Sequence, residues 1–182
     1  MSLPKILLPT WGKLTTLPMM GTQHMHLLGY HARLAINAFE MGAGGSTLFM
    51  LQVNPDLRLT SVEHDPTWRD AVHRLHEAMF ASGCSIGGHL RLGGYDESLA
   101  DHGSPYDLAF IDGKADERPA WMALMWPKVR PGGFLILHDS ERQEYRDAIQ
   151  KLVDAGATVI YNDGDETYQT DKRVKLWIGR KP

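Results

Sequence analysis

The chain has 182 residues and a mass of 20.4 kDa, the length of one ordinary domain, so any function must be built on a single core. With 43% hydrophobic and 23% charged residues it is globular in composition, which excludes a disordered chain, a collagen-like repeat or a coiled coil. A net charge of -3 lacks the broad positive field of a non-specific nucleic-acid binder, and the single cysteine, Cys84, cannot form an internal disulfide. A cytoplasmic protein with no nucleic-acid and no membrane partner is expected; no segment approaches the roughly 20 apolar residues that cross a bilayer.

Residues 1–34 read as an N-terminal arm. Its cluster His24, Met25, His26, Tyr30 and His31 suits either an amphipathic helix covering a sheet or an arm contacting a substrate. From residue 35 to 182 short apolar runs alternate with amphipathic segments, the rhythm of a βαβ core. Ala35 to Phe39 is the first predicted strand, ending at Glu40 and the turn Gly42-Ala43-Gly44-Gly45-Ser46-Thr47, with a short helix from Leu48 to Val53. Leu57 to Glu63 is the second strand. Asp65-Pro66 then caps a helix whose Trp68, Val72, Leu75 and Met79 form one buried stripe and which Gly83 ends.

His89 to Leu92 and Asp107 to Ile111 are the third and fourth strands, the latter ending in Asp112-Gly113 and followed by a helix over 119–125. Pro131-Gly132-Gly133 predicts a tight turn before the strand Phe134 to Leu137, the most apolar of the set and so expected inside the sheet. Ser140 and Gln143 suggest a capping box for a helix carrying Tyr145, Ile149, Leu152 and Val153, closed by Gly156. Thr158 to Tyr161 and Val174 to Ile178, joined by the acidic loop Asp163 to Asp171, should pair antiparallel because that loop is too short for a helical crossover. His73 and His76 share a helix face but lack a third ligand nearby, so a solvated face is expected there.

A glycine turn between strand and helix lets a ligand approach the backbone and meet free N–H groups. The third glycine of a dinucleotide fingerprint would fall at Thr47, however, and the Glu40 carboxylate would repel a pyrophosphate; it suits a cationic ligand such as the amino group or sulfonium of S-adenosylmethionine. Glu63, 21 residues after Gly42, stands where a ribose-binding acid is expected in either kind of site.

Four motifs in order, Glu40-Met-Gly-Ala-Gly-Gly-Ser-Thr, Ser61-Val-Glu-His-Asp, Asp107-Leu-Ala-Phe-Ile-Asp-Gly and Arg130-Pro-Gly-Gly-Phe-Leu-Ile-Leu-His-Asp, resemble the class I S-adenosylmethionine-dependent methyltransferases. The resemblance implies a Rossmann-like α/β fold: a seven-stranded sheet, parallel except for an antiparallel last strand, with helices on both faces. It implies that Glu40, Gly42, Ala43, Gly44, Ser46 and Thr47 lie toward the methionine part of the cofactor. Glu63 would take the ribose hydroxyls, and His64, Gly94 and Tyr95 would flank the adenine, although Gly94 falls where many relatives carry an Asp.

Ile111-Asp112-Gly113-Lys114 differs from the Asn/Asp-Pro-Pro-Tyr turn of amine methylators and is similar to the small O-methyltransferases, of catechol or sugar type. By that resemblance Asp112 and Asp139 would hold magnesium, which lowers the pKa of the acceptor hydroxyl; without a metal, His138 or Asp112 would be the general base, and Asp112 also borders the cofactor. Ser140 and Lys114-Ala115 depart from the metal-dependent pattern. The expected enzyme is an S-adenosylmethionine-dependent methyltransferase acting on a small-molecule acceptor, in one or two subunits. A non-catalytic protein of the same fold and an NAD-type oxidoreductase are the alternatives.

Overall fold

A computed structural model describes residues 18–84, 86–87, 89–162 and 175–182. The elements are α1 (Thr22–Leu34), β1 (Asn37–Met41), α2 (Gly45–Val53), β2 (Arg58–Val62), α3 (Pro66–Ala81), β3 (Leu90–Gly93), β4 (Tyr106–Ile111), α4 (Arg118–Met125), β5 (Val129–His138), α5 (Arg146–Asp154), β6 (Thr158–Asn162) and β7 (Leu176–Arg180). They build one seven-stranded sheet in the order β3-β2-β1-β4-β5-β7-β6. The pairs among β1 to β5 are parallel, and β7 runs antiparallel to both β5 and β6. Both the expected final hairpin and the interior position of β5 are present. The acidic loop from Asp163 and the expected start of the last strand at Val174 lie outside the described residues.

Alternation along the strands sends side chains to two faces. On one, Ala38, Phe110, Ile136 and Ile178 pack against Leu28 and Ala32 of α1, Leu48 and Leu51 of α2, and Val72, Leu75 and Met79 of α3. On the other, Phe39, Met41, Ile111, Leu135 and Leu137 pack against Trp121, Met122 and Met125 of α4 and Leu152 of α5. Trp121 and Trp126 are therefore core residues. α1 supplies a covering helix within the arm read as residues 1–34, with His24 and His31 on its buried side.

Several boundaries differ from the sequence reading, each for a local reason. β1 starts two residues late because the Asp107 carboxylate accepts from the N–H groups of Ile36 and Asn37 and holds the entry to the strand. The segment Pro131-Gly132-Gly133 is not a turn before β5 but an irregular stretch inside it, with Gly132 at φ 76 and a register shift opposite Tyr106 and Leu108. No capping box forms at Ser140: Asp139 turns the chain at φ 54, the Ser140 N–H bonds the Lys175 carbonyl, and a 3-10 turn over Gln143–Tyr145 leads into α5. Asp65 does cap α3, its Oδ1 accepting from the Thr67 and Trp68 N–H groups, and Gly83 and Gly156 take positive φ just past their helices. The solvated face expected for His73 and His76 holds only for His73, which pairs with Glu77; His76 is buried, its Nε2 bonded to the Gly87 carbonyl, because α3 packs that side against the chain after it.

Candidate active site

The strand order reverses between β1 and β4, and the crevice beyond their C-terminal ends is where sheets of this kind bind ligands. A cavity of about 400 Å³ opens there, walled by the turn Gly42 to Ser46 after β1, by Glu63, His64 and Asp65 after β2, by Asp112 to Lys114 after β4, and by Trp68. Pro18 and Met19, just ahead of α1, close one side. Of the two expectations for the N-terminal cluster, the structure has the covering helix: His24, Met25, His26, Tyr30 and His31 all lie on α1, and none of them is in the cavity wall.

The glycine turn is shaped by Glu40, which lies wholly buried behind it rather than facing the cavity. β1 and β2 run in register so that Glu40 lies beside Ser61, and α2 starts above the same spot. Glu40 Oε1 accepts from the Ser46 hydroxyl at 2.5 Å; Oε2 accepts from Thr47 at 2.5 Å and Ser61 at 2.6 Å. Thr47 Oγ1 also accepts from the Gly44 N–H, at 2.8 Å. The hydroxyls of Ser46 and Thr47, like the Glu40 carboxylate, are thereby used inside the protein; the Gly42 and Gly44 N–H groups are also bonded, to Val62 and Thr47, so what the turn offers a ligand is the side-chain-free surface of Gly42, Ala43 and Gly44.

Burial pushes the Glu40 carboxyl up to about 7, against the three hydroxyl bonds from Ser46, Ser61 and Thr47, and the nearby Asp112 charge adds to the rise. The folded protein therefore keeps a proton that the unfolded chain releases near pH 4.5, so this group's contribution is fully present below that pH and is lost as pH climbs to about 7. The loss amounts to about 3 kcal/mol. Thermal denaturation across that range should show the native protein's midpoint falling more steeply than that of Glu40→Gln; parallel curves would refute the assignment.

Glu63 is 5% exposed at the end of β2 and borders the cavity. Its Oε1 accepts from the Asp65 N–H at 2.9 Å and lies 2.7 Å from His64 Nδ1. Among the described residues Oε2 has no partner. The His64 ring stands against Tyr95, 5.4 Å between centroids, and half its side chain is exposed along the cavity wall. Tyr95 and Gly94 are not part of that wall. The Tyr95 hydroxyl accepts from the Lys114 N–H and its ring packs on Trp121, so it braces the turn after β4 from outside. Burial pushes its phenol up to about 12.

Among the wall residues not singled out from the sequence are Trp68 and Asp65. Trp68 reads there only as part of the α3 stripe, yet its indole N–H donates to the Ala43 carbonyl at 2.7 Å and ties α3 to the glycine turn. Asp65, read as a helix cap, borders the cavity as well.

The ends of β4 and β5 bring Asp112, His138 and Asp139 together, their ligand atoms lying within 4.8 Å of one another. A further residue missed in the sequence organises them. Arg118, 5% exposed at the start of α4, donates from Nε to the Gly113 carbonyl at 2.7 Å and from Nη1 to the His138 carbonyl at 2.8 Å. It also reaches Asp139 Oδ2 from Nη1 at 3.3 Å, and from Nη2 the Asp112 carbonyl at 3.3 Å and Asp112 Oδ1 at 3.2 Å. His138 Nδ1 lies 2.9 Å from Asp112 Oδ1, and because a carboxylate only accepts, the imidazole proton on that nitrogen points at Asp112.

Burial works to lower the His138 pKa, but the bond and charge of Asp112 and the charge of Asp139 outweigh it, and the net direction is upward. His138 is 3% exposed and stands behind Asp112, which borders the cavity, while Asp139 is not in the cavity wall. These donors do not fit magnesium. That ion takes oxygen ligands in an octahedron, whereas the cluster offers two carboxylates already bonded to a buried guanidinium and a histidine nitrogen turned toward one of them.

A family model for a methyltransferase domain matches residues 39–140, more than half of the chain. A comparison with curated proteins finds no match. Among solved structures, a precorrin-6y C5,15-methyltransferase from Geobacter metallireducens superposes with a TM-score of 0.69 at 18% identity, over 96% of this chain and 94% of that one. The O-methyltransferase TomG from Streptomyces achromogenes, solved with S-adenosylmethionine and involved in tomaymycin synthesis, gives 0.63 at 16% identity, over 90% and 82%. The N-methyltransferase NodS from Bradyrhizobium japonicum gives 0.60 at 16%, over 88% and 95%. At these identities the likeness is one of fold. With the matched segment running from β1 through the glycine turn and Asp112 to the end of β5, the chain belongs to the methyltransferase domain family and has the fold of class I S-adenosylmethionine-dependent methyltransferases.

Proposed function

We propose that the protein transfers the methyl group of S-adenosylmethionine to an oxygen of a small-molecule acceptor, with Asp112 as the group that orients the acceptor hydroxyl and receives its proton. The observation that carries this reading is the two-sided arrangement of Asp112. Oδ1 is held by His138 and Arg118, while Oδ2 has no partner among the described residues and the side chain borders the crevice. A carboxylate fixed on one oxygen presents the other in a set direction.

The cofactor's methionine part would lie along Gly42, Ala43 and Gly44, its ribose hydroxyls would donate to Glu63 Oε2, and its adenine would lie by His64. The acceptor oxygen attacks the methyl carbon as the carbon–sulfur bond breaks. That electron pair returns to sulfur, leaving the thioether, and the hydroxyl proton passes to Asp112. Arg118 holds the ends of β4 and β5 together where a metal-dependent relative would use a cation, so the reaction runs without magnesium.

Transfer of labelled methyl to a panel of phenolic, catecholic and sugar hydroxyls in excess EDTA tests the reading. Asp112→Asn should lower turnover by about 100-fold or more while S-adenosylmethionine still binds. Unchanged turnover in that variant, or native turnover that needs added magnesium, would overturn it. Trp68→Phe removes the bond to Ala43, worth about 1 kcal/mol, together with part of the ring in the cavity wall, and should weaken S-adenosylmethionine about fivefold or more in calorimetry. No change would show that the glycine turn does not depend on α3.

A further inference from the structure

The opposite end of the sheet carries a second cavity, of about 530 Å³, which the methyl-transfer site does not use. It lies on the face covered elsewhere by α4 and α5, over the N-terminal ends of β1, β2 and β3. Register explains its chemistry. Asn37 pairs with Arg58, Thr60 pairs with Arg91, and a spacing of two along β2 puts all four side chains on one face. The connection from β3 to β4 contributes only a 3-10 helix, Glu97–Asp101, where a full crossover helix would demand an apolar sheet face.

Every ionisable side chain lining this cavity is basic: Arg58, Arg91, His89 and His102. In a chain of net charge -3 that grouping runs against the overall balance. The neighbouring acids do not neutralise it, since Asp101 pairs with Lys128 and Asp107 with Arg130. Among the described residues neither the Arg58 nor the Arg91 guanidinium has a hydrogen-bond or ion-pair partner. Two planar, unpaired forks beside the Ser104 hydroxyl and the Asn37 amide match the acceptor oxygens of a phosphate group, which arginine binds in paired bonds.

We infer that this cavity is a second ligand site, for a small molecule bearing phosphate. Calorimetry with pyrophosphate and with inorganic phosphate should show saturable binding to the native protein, weakened about tenfold or more in Arg58→Gln and in Arg91→Gln and unchanged in Arg146→Gln, an exposed arginine of α5. S-adenosylmethionine binding measured on the same variants should be unaltered, which separates loss of this site from loss of the fold and from failure of the methyl-transfer reading. Absence of saturable binding, or equal loss in Arg146→Gln, would overturn the inference. A ten-nucleotide single-stranded DNA that binds more tightly than pyrophosphate through Arg58 and Arg91 would overturn it as well, by assigning the surface to a nucleic acid.

Discussion

Replacing Arg118 by methionine should lower the stability of the protein by about 3–5 kcal/mol and abolish methyl transfer. Methionine keeps much of the apolar stem, so the loss isolates the guanidinium. What remains would be two carboxylates, Asp112 with His138 and Asp139 with Arg142, and the carbonyls of Asp112, Gly113 and His138, all at the ends of β4 and β5 without the guanidinium that now joins them. Arg118→Lys should fall between. An ammonium keeps the charge but cannot span five acceptors from one plane, so folding is retained better than the placement of Asp112, with turnover down about 100-fold. Denaturant unfolding of the three proteins measures the first effect and labelled-methyl transfer the second. Arg118→Met as stable as the native protein within about 0.5 kcal/mol would mean that the clamp does not hold the site.

The second large effect is expected at Gly42. Its φ of 96 is one that side chains resist, and a Cβ there would lie 2.6 Å from the backbone of Gly113. Gly42→Ala therefore adds strain of about 1–2 kcal/mol and forces the turns after β1 and β4 apart. Since the crevice lies between those two turns, S-adenosylmethionine affinity should fall by about 100-fold. Gly44 is the control. It has extended backbone, and a Cβ would meet only Trp68 Nε1 at 3.8 Å, so Gly44→Ala should fold with a change of under about 1 kcal/mol. Equal tolerance of the two alanines, by thermal denaturation and calorimetry, would contradict the geometry.

These two residues also show how far the sequence could be read. Gly42 and Gly44 look alike in a G-x-G motif, and only the packing of β1 against β4 separates them. The alternating pattern, the Asp65-Pro66 cap and the Trp68, Val72, Leu75, Met79 stripe were legible because they rest on local spacing and backbone chemistry. The convergence of Glu63, Asp112 and the glycine turn was legible only through the family resemblance; the strand order of the sheet is what brings them together. Arg118 was not legible: a charged residue just before a proline at a helix start reads as solvated, and its acceptors are carbonyls, which no motif displays. Glu40 was placed at the right turn but on the wrong side of it. The β1–β2 register brings Ser61 beside it, and α2 begins at Gly45, earlier than its apolar residues suggest, which sets Ser46 and Thr47 over the carboxylate. The capping box expected at Ser140 failed because Asp139 leaves the strand at positive φ and sends the next N–H to Lys175.

The most direct test of the account is calorimetric titration of the native protein and of Glu63→Gln with S-adenosylmethionine in excess EDTA, with NAD as the comparison ligand. The account predicts one site for S-adenosylmethionine on the native chain without any divalent cation, binding weakened about tenfold or more in Glu63→Gln, and no heat from NAD. A native chain silent toward S-adenosylmethionine, or one that binds NAD more tightly, would contradict it.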